Sequence, residues 1–103
     1  MNLFLASLLV MIIEFDVRPG KRAEFVTITA EQVAAVRASD GNIQFDVLVD
    51  DRRPNVVLYV ERWESEAQQR AFYAWWQAQG LTERLRPLVA AAPRVTAYRQ
   101  AVE

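Results

Sequence analysis

The run Val56-Val57-Leu58-Tyr59-Val60-Glu61-Arg62-Trp63-Glu64-Ser65 limits the folds open to this chain more than any other stretch. Branched and aromatic side chains fill it, as a pleated strand favours. Val57, Tyr59, Glu61 and Trp63 then share one face, and Leu58, Val60 and Arg62 the other. Ser65 is a natural N-cap, with Gln68 three residues on in capping-box register. A strand therefore runs almost directly into a helix.

The rest of the chain supplies its partners. A first strand over residues 8–17 stops at Arg18-Pro19-Gly20, a turn signal. Phe25, Ile28, Val33 and Val36 recur near the helical period, predicting one helix over 21–38 that ends at Ser39-Asp40-Gly41. A second strand over 42–50 turns Ile43, Phe45, Val47 and Val49 one way. Residues 51–55 then read as a hairpin loop longer than the two-residue type. The second helix presents Ala67, Ala71, Trp75 and Ala78 as a seam, widened by Phe72 and Trp76, and Gly80 breaks it. A shorter helical stretch over 81–89 points Leu81, Leu85, Leu88 and Val89 inward, and a fourth strand covers 94–102.

That order is βαββαβ, a split βαβ pattern, and predicts an α+β, ferredoxin-like domain with an antiparallel sheet. Right-handed crossovers place both helices on one face. Strands one and three are apolar on both sides, so the bare face should meet a second sheet, and a homodimer packed sheet to sheet is expected. Burying each such side chain contributes roughly 1.5–3 kcal/mol.

With 103 residues, one domain over 1–103 is expected, residues 1–7 being an extension. The apolar stretch from Leu3 to Ile13 has no Lys or Arg before it and is too short to span a bilayer. It reads as a buried first strand of a cytoplasmic protein. A formal net charge of -1, with Arg spread along the chain, builds no basic face for nucleic acid. The chain has no Cys and no His. That removes disulfides, thiolate nucleophiles, the usual proton shuttle and nearly all transition-metal sites. No transition-metal site is expected. Chemistry falls to carboxylates, Arg, Tyr, hydroxyls, backbone groups or the substrate itself.

All three tryptophans, with Phe72 and Tyr73, lie between positions 63 and 76. Aromatic rings bring large apolar area at small entropic cost. Such a cluster is either an oversized core or the wall of a pocket for a flat ligand.

Several stretches together resemble the antibiotic biosynthesis monooxygenase superfamily: Arg18-Pro19-Gly20, the Asp50 hairpin, the run from Tyr59 to Ser65, the aromatic helix, and Ala91-Ala92-Pro93. Glu61-Arg62-Trp63-Glu64-Ser65 is the most specific of them. The resemblance implies a dimeric α+β barrel. It also implies an oxygenase without metal or bound organic cofactor, acting on phenolic polyketides, anthrones or quinols. In such chemistry the deprotonated substrate hands an electron to O₂. Two departures stand out. Phe72 takes a place where many members carry His. Haem-degrading relatives resemble the chain at Ala71-Phe72 and Trp75, but the places of their essential His and Asn look like Leu85 and Ile13. Haem turnover is not expected.

Glu61 and Trp63 are the candidate catalytic residues. Glu61, among apolar neighbours, should have its pKa raised, as general bases often do; a salt bridge to an Arg is its structural alternative. Trp63 is otherwise a core indole. Tyr59, Phe72, Tyr73, Trp76, Arg84 and Arg86 are candidate substrate-binding residues. Trp75, aligned with Ala71 and Ala78, is expected in the core, leaving Trp76 to line a pocket mouth. Arg84 and Arg86 could each hold a phenolate or carboxylate, or be solvated surface charge. Three functions remain open: a cofactor-independent monooxygenase for an aromatic small molecule, a dimer that binds one without turnover, and a small-metabolite isomerase or lyase using Glu61.

Overall fold

The computed structural model describes residues 8–102, so the extension at 1–7 lies outside the described residues. Four strands, β1 (Leu9–Asp16), β2 (Asn42–Asp50), β3 (Arg53–Trp63) and β4 (Arg94–Arg99), form one sheet in the order β2-β3-β1-β4. Every neighbouring pair is antiparallel. Between them run α1 (Arg22–Ala30), α2 (Val33–Arg37), α3 (Glu66–Ala78), α4 (Leu81–Leu85) and a 3₁₀ turn at Arg86–Leu88. This is the α+β ferredoxin-like arrangement expected. Among the described residues no helix is long and apolar enough to cross a membrane.

The period of two in β3 decides where the core sits. Val57, Tyr59, Glu61 and Trp63 are 0–3% exposed, whereas Leu58, Val60 and Arg62 are only half-buried. Ser65 caps α3 as its sequence implied, its Oγ accepting from the Gln68 backbone N–H at 3.2 Å. At the turn before β2, Gly41 has φ +81°, and a Cβ there would meet the Gln68 side chain at 2.4 Å. The backbone conformation demands glycine, and a side chain there would also have to push the Gln68 amide aside.

Four local expectations need correction. The first helical segment is broken at Glu31–Gln32 into α1 and α2. The β-branched run Val26-Thr27-Ile28-Thr29 propagates a helix weakly, and the break lets Phe25 and Val36 both reach full burial. The hairpin is a tight one after all: Asp50 pairs with Arg53 across Asp51-Arg52. The Asp50 carboxylate holds it by accepting from the Arg52 N–H at 2.8 Å and Arg53 Nε at 3.0 Å. Pro54 is tolerated in β3 because the register shift there leaves it in a bulge, where no ladder N–H is needed. A second shift between Asn42 and Gln44 throws Ile43 outward, where it is 50% exposed.

The fourth correction concerns the tryptophans of α3. Trp76 is the buried one at 7% and Trp75 is 36% exposed. The face of α3 turned inward follows Gln69, Phe72 and Trp76, and the alanines of the expected seam have little surface to bury.

Candidate functional site

The cleft is built from the middle of the sheet outward. Register places Ile13 and Val47 beside Tyr59, and Met11 and Phe45 beside Glu61. Above them α3 presents Gln69, Phe72, Tyr73 and Trp76, which recur at three- and four-residue spacing on one helical face. Thr82, Leu85 and Arg86 close one end. The following segment folds back onto β1, with Arg18 N–H donating to Leu88 O at 2.8 Å and Ala90 N–H to Asp16 O at 2.7 Å. The cleft's volume is about 760 Å³, within the roughly 300–1,000 Å³ range of small-molecule sites. Tyr73 at 45% and Val95 at 55% exposure mark its open rim.

Glu61 is the one acid on this wall and is 2% exposed. Trp63 Nε1–H donates to its Oε1 at 2.9 Å. Among the described residues Oε2 has no protein partner, yet no buried side-chain oxygen lacks one, so Oε2 keeps accessible surface on a residue that lines the cleft. Burial pushes the Glu61 pKa up; the Trp63 hydrogen bond pulls it the other way and is the weaker influence. Among the described residues of this chain no Arg pairs with Glu61. Arg62 lies on the opposite face, where it donates to Gln44 Oε1 at 3.4 Å and to Gln100 Oε1.

Tyr59 is the hub of the aromatic packing, with centroids 4.6 Å from Phe15, 5.2 Å from Phe45 and 6.3 Å from Trp76. Its hydroxyl shares a hydrogen bond with Thr29 Oγ1 at 2.5 Å. Burial raises its pKa well above the usual phenol value, so it remains a neutral phenol.

Of the eight residues singled out from sequence, Glu61, Tyr59, Phe72, Tyr73, Trp76 and Arg86 line the cleft and two do not. Trp63 is fully buried behind the wall, stacked 4.8 Å from Phe72. It reaches the cleft only through its hydrogen bond to Glu61. Arg84 points away and pairs with Glu31 at 3.1 Å, because one residue of helical phase separates it from the inward side. Arg86 stands at the rim, paired with Glu83 at 2.9 Å. Sequence reasoning missed Gln69 and Arg18. Gln69 was findable by counting back three and seven residues from Phe72 and Trp76. Arg18 was not, since only the fold-back of residues 86–93 makes it a rim residue. Ile13 and Leu85 contribute apolar wall. Among the described residues no group of three or more potential metal ligands occurs.

A buried carboxylate with one oxygen tethered and the other open can take a proton from a bound molecule. The aromatic and aliphatic walls around it have the shape and polarity that suit a planar apolar guest.

The profile of the antibiotic biosynthesis monooxygenase family matches residues 8–92. YcnE of Bacillus subtilis (strain 168), a candidate monooxygenase, is 35% identical over 51 residues, which are 50% of this chain and 54% of YcnE. The match thus spans about half the length of that curated relative. Among solved structures, a conserved protein from Methanosarcina mazei Go1 has a TM-score of 0.86 at 15% identity, covering 95% of this chain and 97% of its own. A Shewanella oneidensis protein has a TM-score of 0.85 at 22% identity, covering 95% of each chain. A candidate antibiotic biosynthesis monooxygenase from Chloroflexus aurantiacus J-10-fl has 0.79 at 22%, covering 94% and 96%. At these identities the structural likeness shows the fold alone.

Proposed function

The chain belongs to the antibiotic biosynthesis monooxygenase family, and from that premise we propose that it oxygenates an aromatic phenol or quinol without metal or organic cofactor. One observation carries the reading: Glu61, whose Oε2 has no protein partner among the described residues, lines a cleft walled mostly by rings and aliphatic side chains. A chain with neither His nor Cys is expected to draw its base from a carboxylate, and among the described residues Glu61 is the buried one.

The proposed reaction runs in these steps. A flat substrate lies between the sheet and the face of Phe72 and Trp76, its hydroxyl against Glu61. The carboxylate takes the phenolic proton. The anion then transfers one electron to O₂, and the two radicals combine at a ring carbon. Loss of water leaves a carbonyl there. The substrate gives up two hydrogens and four electrons, one oxygen atom enters the product and the other leaves as water. No external reductant is needed. The protein supplies orientation and a dry, polarised setting for the anion.

Oxygen uptake by chelator-treated protein tests this, with 1-naphthol and an anthrone as probes. The expected result is one O₂ consumed per product and one labelled oxygen in the product from ¹⁸O₂. Uptake no faster than the protein-free control across a panel of phenols would end the proposal. An isomerase using Glu61 would convert substrate without consuming oxygen, and a binding module would leave it unchanged.

The same reading includes a homodimer. The sheet face away from the helices carries Val10, Ile12, Leu58 and Val60, with Leu48 at 47% and Tyr98 at 54% exposure beside them. Contiguous apolar patches of that kind mark interaction surfaces, and a second copy offers a matching sheet. Sedimentation at micromolar concentration is expected to give twice the 11.8 kDa chain mass. Val60→Lys, at the centre of the patch, should shift the population to monomer. A wild-type monomer under these conditions would remove the dimer.

A further inference from the structure

Gln69 is a polar side chain in a place that suits an apolar one. It is 9% exposed, sits on the inward face of α3 with Phe72 and Trp76, and lines the cleft. Among the described residues its amide makes no hydrogen bond with any protein group, and none of its atoms is sealed off without a partner. Its Oε1 and Nε2 therefore keep accessible surface, on a side chain that lines the cleft. Water can meet those atoms in the empty cleft, and a ligand that displaces that water must offer the amide an equivalent hydrogen bond.

The cleft thus presents two polar groups that no protein group occupies among the described residues, and they are of different kinds. Glu61 Oε2 only accepts while ionised, whereas Gln69 both donates and accepts. A ligand that gives its proton to Glu61 becomes an anion, and in a conjugated ring system that charge spreads to a second, ring-bound oxygen. An N–H aimed at that oxygen stabilises the anion more than the neutral ligand, the condition for helping catalysis as well as binding. We propose that Gln69 donates to a carbonyl oxygen of the ligand, so that the cleft selects planar molecules bearing a conjugated carbonyl as well as a proton-yielding group. The inference deepens the proposed function and rests on the same cleft, but it is a statement about recognition and is testable without turnover.

The test compares 1-tetralone with tetralin, two bicyclic probes that differ by one carbonyl, using NMR titration of the wild-type protein and of Gln69→Leu. The hydrocarbon's greater hydrophobicity cancels when each probe is compared between proteins. Gln69→Leu should weaken the ketone by about threefold to tenfold, as for one lost hydrogen bond. It should leave tetralin unchanged or bound more tightly. In the wild-type protein the Gln69 side-chain amide resonances should move with the ketone and not with tetralin. Gln69→Met, equal in length and a good helix former, serves as the second variant, and thermal melts confirm that both fold. Equal effects on the two probes, a silent amide, or failure of the wild type to bind the ketone would each overturn the assignment. Absence of oxygen uptake with phenols would sink the monooxygenase reading and leave this one standing.

Discussion

Glu61→Gln is expected to lower turnover by about 10²–10⁴, the contribution typical of a positioned general base, while leaving the protein at least as stable. Gln keeps an oxygen for the Trp63 N–H and loses the buried charge. The pH dependence has a defined sign. Burial raises the Glu61 pKa in the folded state above its unfolded value, so between those two values the folded protein binds more protons than the unfolded one. Wild-type stability therefore falls as pH rises through that window and stays at the lower level above it. Glu61→Gln lacks this titration, so its melting temperature should match the wild type below the window and exceed it above. Activity runs the opposite way: wild-type kcat/KM should rise with pH through the elevated Glu61 pKa as the carboxylate forms. Loss of activity coupled to gain of stability is what a strained functional group produces. A Gln variant that turns over substrate within a few-fold of wild type would remove Glu61 as the base.

The order of elements was legible because its signals are local. The period of two in β3, the Ser65 cap with Gln68, and the glycines at 41 and 80 each specify their own neighbourhood. Glu61 was legible for the same reason: an acid alternating with Tyr59 and Trp63 must share their buried face. What failed depended on contacts between distant segments. Trp75 and Trp76 are one residue apart, and which is buried depends on the rotation of α3 over the sheet. A seam drawn through the small residues Ala67, Ala71 and Ala78 gave the wrong rotation. Weighting the large side chains instead selects the face of Gln69, Phe72 and Trp76, at the apparent expense of burying an amide. That a polar residue breaks the pattern is itself informative, since local rules tend to fail at functional sites. The same phase error separated Arg84 from the cleft it was expected to line. The cavity itself could not be read, because it is the space left between elements and no residue encodes it.

Trp63 is expected to matter in two separable ways. Trp63→Ala removes a fully buried indole that stacks on Phe72. Such truncations cost about 3–5 kcal/mol, a large part of the roughly 5–15 kcal/mol that holds a domain together. The melting temperature should fall by about 12 °C or more. That result alone would fit a purely structural residue. Trp63→Phe separates the roles, since it keeps a ring against Phe72 but deletes the donor to Glu61 Oε1. The hydrogen bond opposes the upward pull of burial on Glu61, so its loss should raise the Glu61 pKa further. The pH at which kcat/KM reaches half its maximum should then move upward, with the carboxylate also less well aimed at the substrate. A Phe variant with an unchanged pH profile would make Trp63 a packing residue only. A profile displaced to higher pH would make it the positioning residue of the base, acting from behind the cleft wall.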